Sequence, residues 1–83
     1  MNEKKLLEFI HFLLESNFAT PMKVECKKSE DEETYSAEIK NPKHESMFGV
    51  HLPVNGKQEK DLKPKALLQL TALLIDHILN NKL

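Results

Sequence analysis

Two stretches of helical period enclose a middle section in which apolar and polar residues alternate. That order, helix, strand, strand, strand, helix, admits only a small set of compact α+β arrangements. The first helix is predicted over Glu3–Asn17. Leu6, Leu7, Phe9, Ile10, Leu13 and Leu14 make a broad apolar face, and Lys4, Glu8, His11 and Glu15 share the opposite stripe. Asn2 suits the N-cap, and Asn17 followed by Thr20-Pro21 ends the helix.

Three alternating segments follow. Met22, Val24 and Cys26 share one face of Met22–Lys28; Tyr35, Ala37 and Ile39 share one face of Thr34–Lys40; Phe48, Val50, Leu52 and Val54 share one face of Met47–Val54. One apolar face per strand predicts an antiparallel sheet covered on one side. The connections, Ser29-Glu30-Asp31-Glu32-Glu33 and Asn41-Pro42-Lys43-His44-Glu45-Ser46, have the lengths of a meander. Pro53 marks the third strand as an edge or bulged strand, and Asn55-Gly56 is a turn signal.

The second helix is predicted to begin at Lys63-Pro64 and reach about Asn80, because proline fits a first helical position. Leu62 and Leu67 would then form a hydrophobic staple. This helix is more apolar than one sheet requires. Leu68 and Leu73 cannot face the same sheet, so the surplus predicts a subunit contact and a homodimer through this helix. The resulting fold is α-β-β-β-α, a three-stranded antiparallel meander with both helices on one face, in a single domain over 1–83.

Charge and composition narrow the function. The 83 residues carry a net charge of −1, which disfavours a strongly basic nucleic-acid binder, and all 12 basic residues are lysine. Lysine is a mobile point charge without arginine's two-pronged geometry, so RNA contacts would fall on phosphates rather than base edges. The lysines weighed as functional are Lys57, Lys60, Lys63 and Lys65, placed by this reading at the start of the second helix, where backbone N–H groups attract anions. Their alternative role is as solvated surface charge, the commoner fate of lysine.

The lone Cys26 excludes an internal disulfide and fits a reducing, cytoplasmic compartment. No signal peptide or membrane-spanning run is read. His11, His44, His51 and His77 show no zinc-site spacing, so neither metal nor cofactor is expected. His51 on an open sheet face has no acid or nucleophile paired with it in the sequence.

The run Gly49-Val50-His51-Leu52-Pro53-Val54-Asn55-Gly56, then Lys60-Asp61-Leu62-Lys63-Pro64 and a leucine-rich helix, resembles the HicA-type family of small mRNA interferases. That resemblance implies a variant of the double-stranded-RNA-binding-domain fold. The family's catalytic histidine enters its second strand. Here that stretch reads Ser29-Glu30-Asp31-Glu32-Glu33-Thr34-Tyr35, so the resemblance implies RNA binding without cleavage. A weaker resemblance, to small KH-domain proteins, rests on Gly56-Lys57-Gln58-Glu59, where Glu59 replaces the second glycine. Two functions follow as expectations: a non-catalytic RNA-binding protein using the four lysines, or a protein-interaction or homodimerisation module using the second helix.

Overall fold

The computed structural model describes residues 2–81 and has the elements α1 (Glu3–Asn17), β1 (Lys23–Lys28), β2 (Thr34–Lys40), β3 (Ser46–Pro53) and α2 (Glu59–Asn81). The strands pair antiparallel in the order β1-β2-β3, the α-β-β-β-α meander read from the alternation. The apolar faces meet in register, with Val24 opposite Ile39, Cys26 opposite Ala37, Ala37 opposite Val50 and Ile39 opposite Phe48. A bulge between Ile39 and Lys40 shifts the start of β3. Pro53 lies on an edge strand, where its missing N–H removes no central ladder bond.

Both helices contribute to one core with the inward face of the sheet. From α1 come Leu6, Ile10 and Leu14, one residue per helical turn, and the Asn2 side chain caps the helix by accepting from the Lys5 N–H at 2.8 Å. From α2 come Leu62, Ala66, Leu67, Leu70 and Leu74, all buried. The two helices run in the same direction: Glu3 meets Lys63 near their starts, and the Phe18 ring just past the end of α1 stacks on His77.

The start of α2 departs from the sequence reading. The helix begins at Glu59, not Lys63-Pro64, so Pro64 is the sixth helical residue and Leu62 lies inside the helix instead of preceding its cap. Gln58 supplies the first carbonyl, accepting from the N–H groups of Asp61 and Leu62 at 2.9 and 3.1 Å. The reason is burial. Leu62 sits one turn ahead of Ala66 on the core face and is 2% exposed, so continuing the helix backwards stabilises it. The proline ring removes only the bond to the Lys60 carbonyl, on a residue exposed to water in the first turn. The strand bounds differ by one residue: β1 starts at Lys23, and β3 covers Ser46–Pro53 with buried Val54 just beyond it.

Gly49 is held by a close approach. A Cβ built there would stand 2.9 Å from the Ala37 carbonyl oxygen and 2.8 Å from Cγ of Glu38. The side chain can swing away, but the β2 backbone cannot without disturbing the central strand. Gly49→Ala is therefore expected to destabilise the domain by about 1–3 kcal/mol, read as a lower urea midpoint at unchanged slope.

Candidate interaction surface

The four lysines do not converge. Lys57 sits in the turn after β3, its N–H bound to the Val54 carbonyl at 2.9 Å, with Asn55 and Gly56 both at positive φ. Lys60 falls in the first turn of α2 between Glu59 and Asp61, which match the positive end of the helix dipole. Lys63 points to α1, where its ammonium is 2.9 Å from the Glu3 carboxylate; that bond raises its pKa. Lys65 is exposed farther along the helix. At about 100° per residue, Lys60 and Lys63 lie roughly 60° apart on α2, and Lys65 lies roughly 140–160° around the axis from both. The earlier helix start is what separates Lys63 and Lys65 from the first-turn N–H groups.

Other charged surfaces are internally compensated. On the outer sheet face Glu25 lies 3.2 Å from Lys40 and 3.8 Å from Lys27, and the Ser46 hydroxyl donates to Glu38. The acidic connection is a built turn. The Ser29 hydroxyl and the Glu33 N–H both donate to Asp31, bonds that hold its carboxyl below the usual range, and the Thr34 N–H donates to the Ser29 hydroxyl. A shallow depression of about 630 Å³ beside it is lined by Glu32, Glu33, His51 and Gly56 among others, an acidic setting for a phosphate.

His77 packs against two rings, Phe18 with centroids 6.0 Å apart and Phe48 at 5.2 Å. Its role here is in packing at the far end of the helix pair. No group of three or more potential metal ligands occurs among the described residues. No helix among the described residues is long and apolar enough to cross a membrane.

What does converge is apolar. The buried face of α2 runs through Leu62, Ala66, Leu70 and Leu74, and directly opposite it lie Leu68, Ala72, Ile75 and Leu79, spaced four, three and four residues apart. Leu68 is 58% exposed and Leu79 62%. On α1 the corresponding residues are Phe9 and Phe12, 43% and 62% exposed. Strand register and chain direction place α1 on the β1 side of α2. By phase Phe9 lies about 100° and Phe12 about 160° around α1 from buried Ile10, so both reach the outer side of the helix pair, the side that carries the Leu68 stripe. Leu73, by contrast, is about 140° around the axis from Leu68, so these two leucines do not share a surface. The sequence marks Leu68; it places Phe9 on the apolar face of the first helix and assigns Phe12 to neither face.

Among the described residues, one buried side-chain polar atom lacks a hydrogen-bond partner, and it lies beneath the helix pair. The Tyr35 side chain is completely buried and its hydroxyl has no hydrogen-bond partner within the protein. Burial, reinforced by Cys26, Glu59 and Glu3, pushes its pKa far up. Burial also raises the Cys26 thiol, against the opposing pull of the Lys63 ammonium.

Comparison with family models, curated proteins and solved structures finds no match to this chain.

Two outcomes follow from this layer. Tyr35→Phe is expected to raise stability by about 1 kcal/mol, because it removes a buried hydroxyl that gains no bond on folding; chemical denaturation with unchanged slope checks this. Cys26 is expected to react with iodoacetamide at mildly alkaline pH about tenfold slower than a small free thiol, and at the free-thiol rate in urea. Equal rates without denaturant would show the thiol to be open.

Proposed function

We propose that this protein is a protein-interaction module that binds through the outer seam of its helix pair. The supporting observation is the second apolar stripe of α2, opposite its core face and flanked by Phe9 and Phe12 of α1. Single exposed leucines need no explanation, but a line of them beside two exposed phenylalanines on one face is the pattern of a covered surface. Large aromatic and leucine anchors between charged flanks match the anatomy of a specific contact. The helix-in-helix geometry gives the partner a ridged surface rather than a pocket.

RNA binding is the second reading, supported by the exposure of Lys57, Lys60 and Lys65 around the first turns of α2. It has fewer groups to work with than the sequence implied, since Lys63 is held by Glu3 and Glu59 and Asp61 stand among the lysines. Neither reading uses a catalytic group.

A photo-reactive phenylalanine analogue separates the readings. Placed at Phe12 in growing cells, it is expected to give polypeptide adducts of discrete mass; placed at His51 on the opposite sheet face, it is expected to give none. Equal or absent adducts at the two positions would sink the interaction reading. For RNA, about three phosphate contacts would give a salt slope near −2 to −3, and Lys57→Gln with Lys60→Gln would lower it by about one to two. No retention of RNA at low salt removes that reading.

A further inference from the structure

We propose that β3 is a pairing edge: a second copy of this chain adds its own β3 there, antiparallel, making one continuous sheet with α2 packed against α2. The two edges of the sheet are built differently. β1 carries Lys23, Lys27 and Lys28, charges of the kind that keep an edge from pairing. β3, the other edge, has no acid, lysine or arginine from Ser46 to Pro53. Met47 is its bulged residue, since Phe48 lies opposite Ile39 and Ser46 opposite Lys40, and Pro53 has no N–H to offer. Between these two stops, residues 48–52 are open. The Val54 N–H donates to Glu33, so by alternation Phe48, Val50 and Leu52 turn their backbone groups to β2. Gly49 and His51 turn theirs outward, to no strand among the described residues.

The open segment is centred on Val50. A two-fold axis through Val50, perpendicular to the sheet, pairs Gly49 with His51 of the second copy and His51 with its Gly49, each pair bonded in both directions. On the inward face Phe48 meets Leu52 of the second copy and Val50 meets its Val50. All three are half-buried within one copy, and such apolar cross-strand pairs stabilise a ladder. The same axis relates a second element. α2 packs on both β2 and β3, and strands lie about 4.8 Å apart, so the two α2 helices come about 10 Å apart, the spacing of packed helices. They run antiparallel and meet on the flank turned away from α1. Thr71 on the covered flank is buried, whereas Gln69, Leu73 and Asp76, around the other side, are exposed. Lys65 is about 20° from Asp76 in phase and about three turns before it, and their midpoint lies between Leu70 and Thr71. Phe48 touches His77, and Val50, about 7 Å farther along β3, is level with Ala72 and Leu73. The two centres agree within about one helical turn. Lys65 therefore stands beside Asp76 of the second copy, Asp76 beside its Lys65, and Leu73 beside its Gln69. No like charges meet, since Asp61 falls level with Asn80 of the second copy. Leu73, exposed in one copy and outside the Leu68 stripe, gains a contact. Both helix layers stay on one side of the sheet, so Phe12 and Leu68 remain open and this contact is independent of the seam.

The contact is small, a short ladder and one helix flank, so half-association is expected at about 50–500 µM. Where cells hold the chain at low micromolar concentration it stays monomeric, and His51 remains a silent crosslinking control. Sedimentation equilibrium of the whole chain, from about 10 µM to about 1 mM, is expected to show the transition. Amide exchange read by NMR over the same range should slow about tenfold at Gly49 and His51 as the dimer fills. Cys26, whose N–H points out from β1, should not change. Lys65→Glu and Asp76→Lys should each weaken association about fivefold or more by setting like charges together, and the chain carrying both should regain it. Both side chains are exposed and neither is in an ion pair among the described residues, so circular dichroism is expected to show all three variants folded. A chain that stays monomeric throughout overturns the proposal. So does a dimer whose Gly49 and His51 amides exchange as in the monomer, which places self-association elsewhere. Protection at both amides without recovery in the double variant overturns the packing of α2 on α2. None of these results bears on the Phe12 crosslinks, which test the seam separately.

Discussion

Complete burial of the inward face of β2 is the constraint on which the rest of this structure depends. Tyr35, Ala37 and Ile39 are each fully shielded from solvent, whereas the inward residues of β1 and β3 are only half-buried. Burial of a large apolar side chain contributes about 1.5–3 kcal/mol, so the central strand holds a disproportionate share of the folding energy of a small domain. One helix cannot cover three strands. Two parallel helices straddling β2 can, and the chain has helices of the right phase at both ends to do it. The unpaired Tyr35 hydroxyl is the visible cost of filling that space with a large ring.

The same constraint decides what α2 leaves outside. Its core face must run from Leu62 to Ile78 to cover β2 and β3 and meet α1, and that phase turns Leu68, Ala72 and Leu79 away from the protein and leaves Ile75 half-buried. The outer stripe is therefore a property of the helix's composition exposed by its packing. Nothing in the fold needs it. Leu70 and Leu74 are explained by the core, but Leu68 and Leu79 are not, and this makes the outer side of the helix pair the surface on which a functional reading rests.

Electrostatics divides the surface into compensated and uncompensated parts. Lys63, Lys40 and Lys28 stand within ion-pair distance of Glu3, Glu25 and Glu32, respectively, and the acidic turn bonds largely to itself. Partly exposed pairs of this kind add little stability, on the order of 0–1 kcal/mol each, but they occupy the groups concerned. The effect is to dismantle the lysine cluster suggested by the linear order.

Local sequence determined most of the architecture. Period-two alternation determined the three strands and their inward faces, because a one-residue slip would expose Val24, Ala37 and Ile39 together. The Asn2 cap and the core spacing of Leu6, Ile10 and Leu14 determined the bounds of α1. Short connections determined the meander. Local rules failed at Pro64, where proline's preference for a first helical position was outweighed by the burial of Leu62, a contact with residues far along the chain. They failed again at Lys63, whose partner Glu3 is sixty residues away, and at Phe9, which belongs to a broad apolar face of which only part is covered. A chain's period states which residues share a side of a helix. Which of those sides is buried is a matter of what packs against them, and only the tertiary structure decides it.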